Sequence, residues 1–445
     1  MGVDIPVDRG YFGYALSLTV DQFGVLCTMH RRHPQIVNMV LNRAWSMCLI
    51  THPDLVEEVL VTKQKSFTKD AFLTQHASDL FGNGLLSSDG SFWLRQRRMM
   101  QPAFHRQRIQ QYSEIVVAQT HAHLAKLRIG APIDISHVLM ELTLDIVSQA
   151  LFGTINILQQ QQLGDALDVT MRQFASEGWG DVLTHTLNIP VVNKPWQRYL
   201  ESVAVIDGII DRIITTRQAD ATPHTDLLAM LLDARDEDGN PMSATQLRDE
   251  CKTMFLAGHE TTALTLAWSM WLVARHPVVG RTLRSEIQRV IGTRAPTFDD
   301  IPQLVYVDQV LREAMRLYPP AFLISRSSRE EVTIGDYTIP AHTDVHMSQY
   351  AMHRDARFYA NPDVFMPERW TDEFKAQLPK YAYFPFGGGP RLCIGQQFAM
   401  MEATLILVML VQYADWSVLP LQRVIPQAAI TMRPKYGIKM RPHHL

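Results

Sequence analysis

The chain has 445 residues, of which 47% are hydrophobic, 20% charged and 9% aromatic, and its formal net charge is -3. This composition is typical of a globular protein and excludes a disordered or fibrous chain, while the near balance of charges gives no argument for a nucleic-acid partner. Four cysteines are too few for a disulfide framework, which favours a reducing compartment.

No segment of the sequence has the pattern of a secretion signal or of a membrane span. The N-terminal segment lacks a basic stretch followed by an apolar one. The longest apolar run, Thr404–Val411, is much shorter than the roughly 20 residues that cross a bilayer. We therefore expect a cytoplasmic protein without a membrane anchor.

The predicted elements are short strands near both ends of the chain, with helices between them. A helix is predicted at 53–61, and the pattern is mostly helical from Trp93 to about Ala274. The β-like runs are residues 35–41, 45–51, 331–340, 344–349 and about 428–432. The class expected from this arrangement is mainly α with small β-sheets (α+β).

We expect a single domain over residues 1–445, because no repeat, low-complexity tract or linker divides the chain. The strands from the two ends are expected to pair with each other. They would form a β-rich lobe from about 30–65, 320–350 and 425–445, and the remaining residues would form a helical lobe.

One long helix is predicted from the capping box of Ser243 and Gln246 to Pro277. Its middle, residues 257–262, places a glycine and a glutamate where the core should be driest. One interpretation is a solvent-facing patch or a notch for helix packing. The other, which we favour, is a helix that opens toward a ligand, with the Thr261 hydroxyl bonded back to a carbonyl.

The most specific segment is the loop of residues 383–395, which contains three successive glycines followed by proline. Cys393 lies near its end, just before an amphipathic helix that begins near Gln396. The amides of the helix N-terminus and Arg391 would lower the pKa of a thiol placed there. Gly389 and Gly395 would let backbone N–H groups approach the sulfur.

Several kinds of site are compatible with a cysteine in such a loop. A phosphate-binding loop would be followed by Lys-Ser or Lys-Thr, which is absent here. Zinc requires more ligands, and no second cysteine is near. A nucleophilic cysteine needs a base, and the 17 histidines leave that alternative open. A single thiolate bound to haem iron fits best.

The pattern Phe386-x-x-Gly389-x-Arg391-x-Cys393-x-Gly395 resembles the haem-binding signature of the cytochrome P450 family. Other marks of the family occur across the whole chain in the expected order. These are Trp93-x-x-x-Arg97, Ala257-Gly258-His259-Glu260-Thr261-Thr262, Glu313-x-x-Arg316 and Pro367-Glu368-Arg369-Trp370. Arg326 stands where the family often has another arginine for a haem propionate.

The resemblance implies a cytochrome P450 fold, with the long central helix over a haem b group and the cysteine loop on its proximal side. Cys393 would be the axial iron ligand. The other residues implied to bind the cofactor are Trp93, Arg97, Ala257, Arg326, Phe386, Gly389, Arg391 and Gly395. Glu260 and Thr261 would deliver the two protons that cleavage of dioxygen consumes. Glu313, Arg316 and Arg369 would form a buried structural triad.

The same resemblance implies a hydrophobic substrate such as a fatty acid, terpenoid, steroid or polyketide. The apolar residues expected to contact it are Phe72, Leu85, Leu86, Phe322, Leu323 and Ala429, with further contacts from the region 174–196. Gly258 would leave room for substrate or dioxygen against the backbone.

The chain contains no flavin or iron–sulfur module, so electrons are expected from NAD(P)H through a ferredoxin or flavodoxin-type donor and its reductase. Five arginines occur between residues 95 and 108, and Arg95 or Arg98 would contact an acidic donor. We expect a monomer. Two alternatives stay open, a haem-binding sensor or non-catalytic protein on the same fold, and a family member that uses peroxide or isomerises its substrate.

Overall fold

The computed structural model describes residues 3–10, 14–41, 46–70, 72–153, 157–177 and 194–445. Within these residues the protein is mainly helical with small sheets, which confirms the predicted fold class. The α-helices are α1 (Ala15–Arg32), α2 (Pro53–Glu57), α3 (Ser78–Phe81), α4 (Gly90–Met100), α5 (Arg106–Leu124), α6 (Ile135–Phe152), α7 (Ile157–Glu177), α8 (Lys194–Ala219), α9 (Leu227–Asp233), α10 (Ala244–Arg275), α11 (Pro277–Val290), α12 (Val305–Leu317), α13 (Gln349–Met352), α14 (Asp372–Gln377) and α15 (Gln396–Tyr413).

The strands are β1 (Val7–Asp8), β2 (Ile36–Val40), β3 (Ser46–Ile50), β4 (Phe67–Thr68), β5 (Ile133–Asp134), β6 (Ile324–Ser328), β7 (Val332–Ile334), β8 (Tyr337–Ile339), β9 (Asp344–Met347), β10 (Asp415–Val418), β11 (Pro426–Ala428), β12 (Met432–Pro434) and β13 (Lys439–His443). Short π-helical turns cover Glu58–Thr62 and Phe72–His76. Short 3-10 turns cover Gln64–Ser66, Gln101–Phe104, Phe298–Gln303, Pro367–Arg369, Lys380–Ala382 and Gly389–Arg391.

The largest sheet joins the N-terminal strands to those that follow α12. Its order is β1-β2-β3-β9-β6-β4, with β3 parallel to β9 through the pair Cys48 and Val345. Strands β2 and β3 are antiparallel, and the residues between them, 42–45, lie outside the described residues. Segments from distant parts of the chain therefore share this sheet.

The C-terminal segment does not join that sheet, contrary to the prediction for 425–445. Strands β11 and β12 form a separate hairpin, and β13 pairs with β10 and β5. Ile438 and Met440 are fully buried in the core of the helical region. Apolar burial and hydrogen bonding therefore place β13 beside the helices, although its sequence pattern is that of an ordinary strand.

Helix α10 crosses the core as predicted. Both hydrogen bonds of the Ser243 and Gln246 capping box form, at 3.2 and 2.8 Å, and the helix ends where Pro277 begins α11. Helix α10 packs on α6 and α15. In the part of the chain that the structure describes, α6 is the one helix long and apolar enough to cross a membrane, and 61% of it is buried inside the protein.

Candidate active site

The cysteine loop turns sharply just before α15. The Cys393 N–H donates to the Phe386 carbonyl at 3.0 Å, and Gly387 and Gly389 adopt left-handed backbone angles, with φ of 74° and 65°. A Cβ on Gly389 would lie 2.0 Å from the Leu60 carbonyl oxygen. Gly389 is therefore needed where the loop passes the turn 58–62, and its predicted effect on the amides near the sulfur stays a prediction.

Cys393 has a large accessible surface. It is nevertheless surrounded by protein atoms, and this burial raises the pKa of its thiol. These two facts place the sulfur in an internal space rather than on the outer surface. The Gly395 N–H and the positive charge of Arg97 oppose the rise in pKa. We expected Arg391 to supply this charge, but its guanidinium is held by Asp89.

Trp93 lies against two arginines near the cysteine loop. The guanidinium carbon of Arg391 is 4.2 Å from the centroid of the Trp93 ring, and that of Arg97 is 5.9 Å away. Arg391 also donates to the Ser88 carbonyl at 3.0 Å and pairs with Asp89. Helix α4 and the cysteine loop, which are distant in the sequence, thus converge on one positively charged wall.

Two further cations, Lys69 and Arg326, are buried beside this wall, each with 8% of its surface exposed. Arg326 donates to the Ser325 carbonyl at 2.7 Å, and among the described residues neither cation has an ion-pair partner. Burial is the main cause that lowers the pKa of Arg326 to about 10, and it also lowers the pKa of Lys69. Uncompensated buried cations of this kind indicate a site for an anion.

Sequence reasoning missed Lys69. It stands in the stretch Ser66-Phe67-Thr68-Lys69-Asp70, which belongs to no motif and has no periodicity. The only signal was a lysine directly after a short apolar strand. Its proximity to Arg326 and Arg391, which also lower its pKa, arises from the pairing of β4 with β6.

The middle of α10 is continuous helix, and the predicted bond of Thr261 back to a carbonyl forms. The Thr261 hydroxyl donates to the Ala257 carbonyl at 2.7 Å. Ala257 is exposed although the helix around it is buried, and Thr261 is half-buried. One side of this segment therefore faces an accessible space in the interior of the protein.

Gly258 faces a different direction. A Cβ at this position would lie 3.0 Å from a methyl carbon of Val147 on α6, and on the same side Thr143 donates to the His259 carbonyl at 2.9 Å. Gly258 is therefore a packing notch, and the prediction that it leaves room for substrate or dioxygen is wrong. The packing notch is thus observed on one face of α10, while the opening toward a ligand on the other face stays a prediction.

Glu260 is buried and ion-paired. It accepts a hydrogen bond from the Thr431 hydroxyl at 2.5 Å and from Nε of Arg433. Both partners lie at the β11–β12 hairpin, and neither was identified from the sequence, because nothing in the spacing places residue 433 beside residue 260. The carboxylate next to Thr261 is thus held by the C-terminal hairpin.

Glu313, Arg316 and Arg369 meet in the core beside the segment that precedes the cysteine loop. Glu313 accepts two hydrogen bonds from Arg316, both 2.8 Å, and one from Arg369 at 2.9 Å. The indole N–H of Trp370 adds a fourth at 2.9 Å. The arginines also donate to the carbonyls of His353, Ala360, Pro362 and Val364. These bonds satisfy a fully buried carboxylate and tie several loops together.

The residues expected to contact substrate differ in exposure. Leu85 is buried, Leu86, Leu323 and Ala429 are half-buried, and Phe72 is exposed. Phe322 packs edge-on against Phe23, with ring centroids 5.2 Å apart, so its ring belongs to a small core cluster. In the predicted region 174–196, residues 178–193 lie outside the described residues.

The arginines proposed for a partner protein are engaged within the chain. Arg95 lies 3.7 Å from Asp236, and Arg98 pairs with Glu237. Both acidic residues belong to the loop before α10. Any acidic partner would therefore compete with this loop for the two arginines.

Comparison with known proteins agrees with these features. Residues 7–440 match the sequence model of the family described as Cytochrome P450. The chain is 35% identical to cyclooctatin synthase of Streptomyces melanosporofaciens over 398 residues, covering 88% of this chain and 84% of that protein. It is 32% identical to pentalenene oxygenase of Streptomyces avermitilis over 392 residues, covering 88% and 86%.

A solved structure also resembles the whole molecule. The heme domain of cytochrome P450DA superimposes with a TM-score of 0.87 at 25% identity, covering 100% of this chain and 99% of that one. The resemblance therefore extends from the sequence motifs to the complete fold. The chain belongs to the cytochrome P450 family, and it is an oxidoreductase of the monooxygenase type.

Proposed function

We propose that the protein hydroxylates or epoxidises a hydrophobic terpenoid, using haem b and electrons from NAD(P)H delivered by a ferredoxin or flavodoxin-type donor and its reductase. One atom of dioxygen enters a C–H or C=C bond of the substrate. The other leaves as water, which consumes two electrons and two protons. The observation that carries the proposal is the accessible Cys393 thiol in an internal space beside buried, unpaired cations. The names of the two Streptomyces relatives support the terpenoid class.

The residues of this space fit a haem group. Lys69, Arg97 and Arg326 have no carboxylate partner among the described residues, so they are suited to two propionates, with Trp93 and Arg391 beside them. When bound, haem supplies the redox chemistry that activates dioxygen. Cys393 would hold the iron as a thiolate, which the Gly395 N–H and Arg97 favour.

Proton delivery is assigned to Thr261 and Glu260. The Thr261 hydroxyl, held by the Ala257 carbonyl, can accept and pass a proton at Oγ1. Glu260 is held by Arg433 and Thr431, so a relay through its carboxylate requires it to move away from Arg433. The apolar side chains of Leu85 and Leu86 would exclude water and contact the substrate.

We also propose that the enzyme is a cytoplasmic monomer. An electron donor that approaches Arg95 and Arg98 would have to displace Asp236 and Glu237. Dependence of turnover on such a donor distinguishes the proposed monooxygenase from a family member that uses peroxide.

The first test is the absorption spectrum of the dithionite-reduced protein with carbon monoxide, recorded for the wild type and for Cys393→Ser. We expect a strongly red-shifted Soret band in the wild type and its loss in the variant, because only a thiolate ligand produces this shift. A panel of terpenes, fatty acids and steroids is then titrated into the oxidised protein. Spectral shifts confined to fatty acids or steroids would contradict the terpenoid class, and a wild-type protein that binds no haem would contradict the whole proposal.

A further inference from the structure

We propose that Asp249 and Glu250, on the N-terminal half of α10, are positioning residues that clamp the loop 82–88 and thereby set the shape of the substrate site. The inference rests on the proposed function, in which Leu85 and Leu86 of this loop contact the substrate. Neither acidic residue belongs to a motif or to the haem site described above.

The two carboxyl groups bind the loop through its backbone. Oδ2 of Asp249 accepts a hydrogen bond from the Asn83 N–H at 2.9 Å, and Oε2 of Glu250 accepts one from the Leu85 N–H at 2.9 Å. Both acidic residues are at least nine-tenths buried. A buried N–H that loses its acceptor is strongly destabilising, so these bonds favour one conformation of an irregular loop.

Two glycines bring the loop into direct contact with the helix. A Cβ on Gly82 would lie 2.2 Å from the carboxyl carbon of Asp249. A Cβ on Gly84 would lie 2.2 Å from the Thr253 hydroxyl and 2.7 Å from the Asp249 carbonyl oxygen. The hydrogen bonds to Asn83 and Leu85 are possible only because neither neighbouring residue has a side chain.

The other end of the loop is fixed to the cysteine loop. Arg391 donates to the Ser88 carbonyl at 3.0 Å and pairs with Asp89, the residue before α4. Leu85 is part of the first attachment, Leu86 lies between the two, and both pack against the apolar cluster that contains Met254. Their distance from Cys393 is therefore determined by α10 at one end and by the cysteine loop at the other.

Glu250 acts as a hydrogen-bonding group rather than as a charge. Its Oε1 has no partner among the described residues, and burial raises the pKa of its carboxyl to about 8. At neutral pH it is therefore mostly protonated. A carboxamide has the same shape and the same acceptor, so Glu250→Gln is a matched control that keeps the clamp, whereas Glu250→Leu removes it.

The test uses the haem-loaded full chain and two azoles that bind iron, imidazole and the much bulkier clotrimazole, each titrated by optical spectroscopy. In Glu250→Leu and in Gly84→Ala we expect the ratio of the two dissociation constants to change by about tenfold, which corresponds to one lost buried hydrogen bond. Imidazole itself should bind as in the wild type, because it does not reach the loop. Glu250→Gln should retain the wild-type ratio.

The possible results distinguish the clamp from the proposed function. An unchanged azole ratio in Gly84→Ala or Glu250→Leu, with a normal thiolate spectrum, would overturn the clamp and leave the proposed function intact. A changed ratio in Glu250→Gln would also overturn the assigned role, since the acceptor is retained. If Glu250→Leu does not fold, the azole ratios of Gly84→Ala and Glu250→Gln show whether the clamp shapes the substrate site. A wild type without the thiolate spectrum would overturn the proposed function instead.

Discussion

At the scale of single residues, the site is defined by charges that the protein does not neutralise itself. Lys69 and Arg326 are buried without an ion-pair partner among the described residues, a costly arrangement unless an anion is bound. Glu260 is the opposite case, because Arg433 compensates its charge. The first pair therefore predicts ligand binding, whereas Glu260 has a structural role in addition to its proposed chemical one.

We predict that Lys69→Met and Arg326→Leu weaken haem retention, because each removes a buried cation that we propose to pair with a propionate. The expected effect is about tenfold or more in the rate of haem transfer to apomyoglobin, equivalent to about 1.4 kcal/mol. Lys65→Met is the matched control, since Lys65 is an exposed lysine four positions earlier. Equal transfer rates in all the variants and the wild type would contradict the assignment.

We predict that Thr261→Ala binds haem and substrate like the wild type but releases more of its reducing equivalents as hydrogen peroxide, because the hydroxyl proposed to pass protons is lost. The measurement is the ratio of product to NAD(P)H consumed. Thr265→Ala is the matched control, because Thr265 makes the same bond back to the helix, to the Thr261 carbonyl at 2.9 Å, one turn further on. Unchanged coupling in Thr261→Ala would remove the relay role.

At the scale of elements, the site is assembled where backbones approach each other closely. Gly389 passes the Leu60 carbonyl, Gly258 fits against Val147, and Gly84 fits against Thr253. These contacts join the cysteine loop to the turn 58–62, α10 to α6, and the loop 82–88 to α10. The positions of all three site segments therefore depend on close contacts at glycines.

We predict that Gly389→Ala disrupts the cysteine loop. The added methyl would collide with the Leu60 oxygen, and the alanine would have to keep an unfavourable φ of 65°. Gly239→Ala is the matched control, because its φ is 82° but nothing lies within 4 Å of the added carbon. We expect the control to lose about 1–2 kcal/mol of unfolding free energy with a normal thiolate spectrum. A normal spectrum in Gly389→Ala would show that the loop tolerates the contact.

At the scale of the whole molecule, stability depends on buried carboxyl groups with contrasting environments. Glu313 is satisfied by two arginines and Trp370. Glu402 on α15 is fully buried beside Thr262, and burial raises the pKa of its carboxyl from 4.5 to about 8. Glu402 therefore favours the folded state only while it is protonated.

We predict that this carboxyl makes the protein less stable as the pH rises. Unfolded Glu402 ionises above about pH 4.5, whereas folded Glu402 stays protonated until about pH 8. The free energy of unfolding is therefore highest, as far as this group is concerned, below about pH 4.5. It falls as the pH rises toward 8, by at most about 1.4 kcal/mol per pH unit. Urea unfolding of Glu402→Gln should show a gain over the wild type that is larger at pH 8 than at pH 5.5.

The control for this experiment is Glu114→Gln, which changes an exposed glutamate in the same way. Its stability should follow that of the wild type at both pH values. A difference between Glu402→Gln and the wild type that does not grow with pH would contradict the prediction.

Local patterns were enough to predict the family, the fold class, the long helix with its capping box and the loop that holds Cys393. These features depend on local patterns, such as apolar periodicity, the capping box of Ser243 and the fixed spacing from Phe386 to Gly395. The bond predicted for the Thr261 hydroxyl is also local, because its acceptor is the carbonyl four residues earlier. Local chemistry is sufficient wherever the partners are neighbours in the chain.

Which distant residues meet depends on the fold. Arg433 pairs with Glu260, and Lys69 lies near Arg326 and Arg391. Glu250 accepts a hydrogen bond from Leu85, although 165 residues separate the two. The same holds for the C-terminal strand, which paired with β10 and β5 instead of the N-terminal sheet. Burial and backbone pairing across the fold set these contacts, and no spacing within the sequence encodes them.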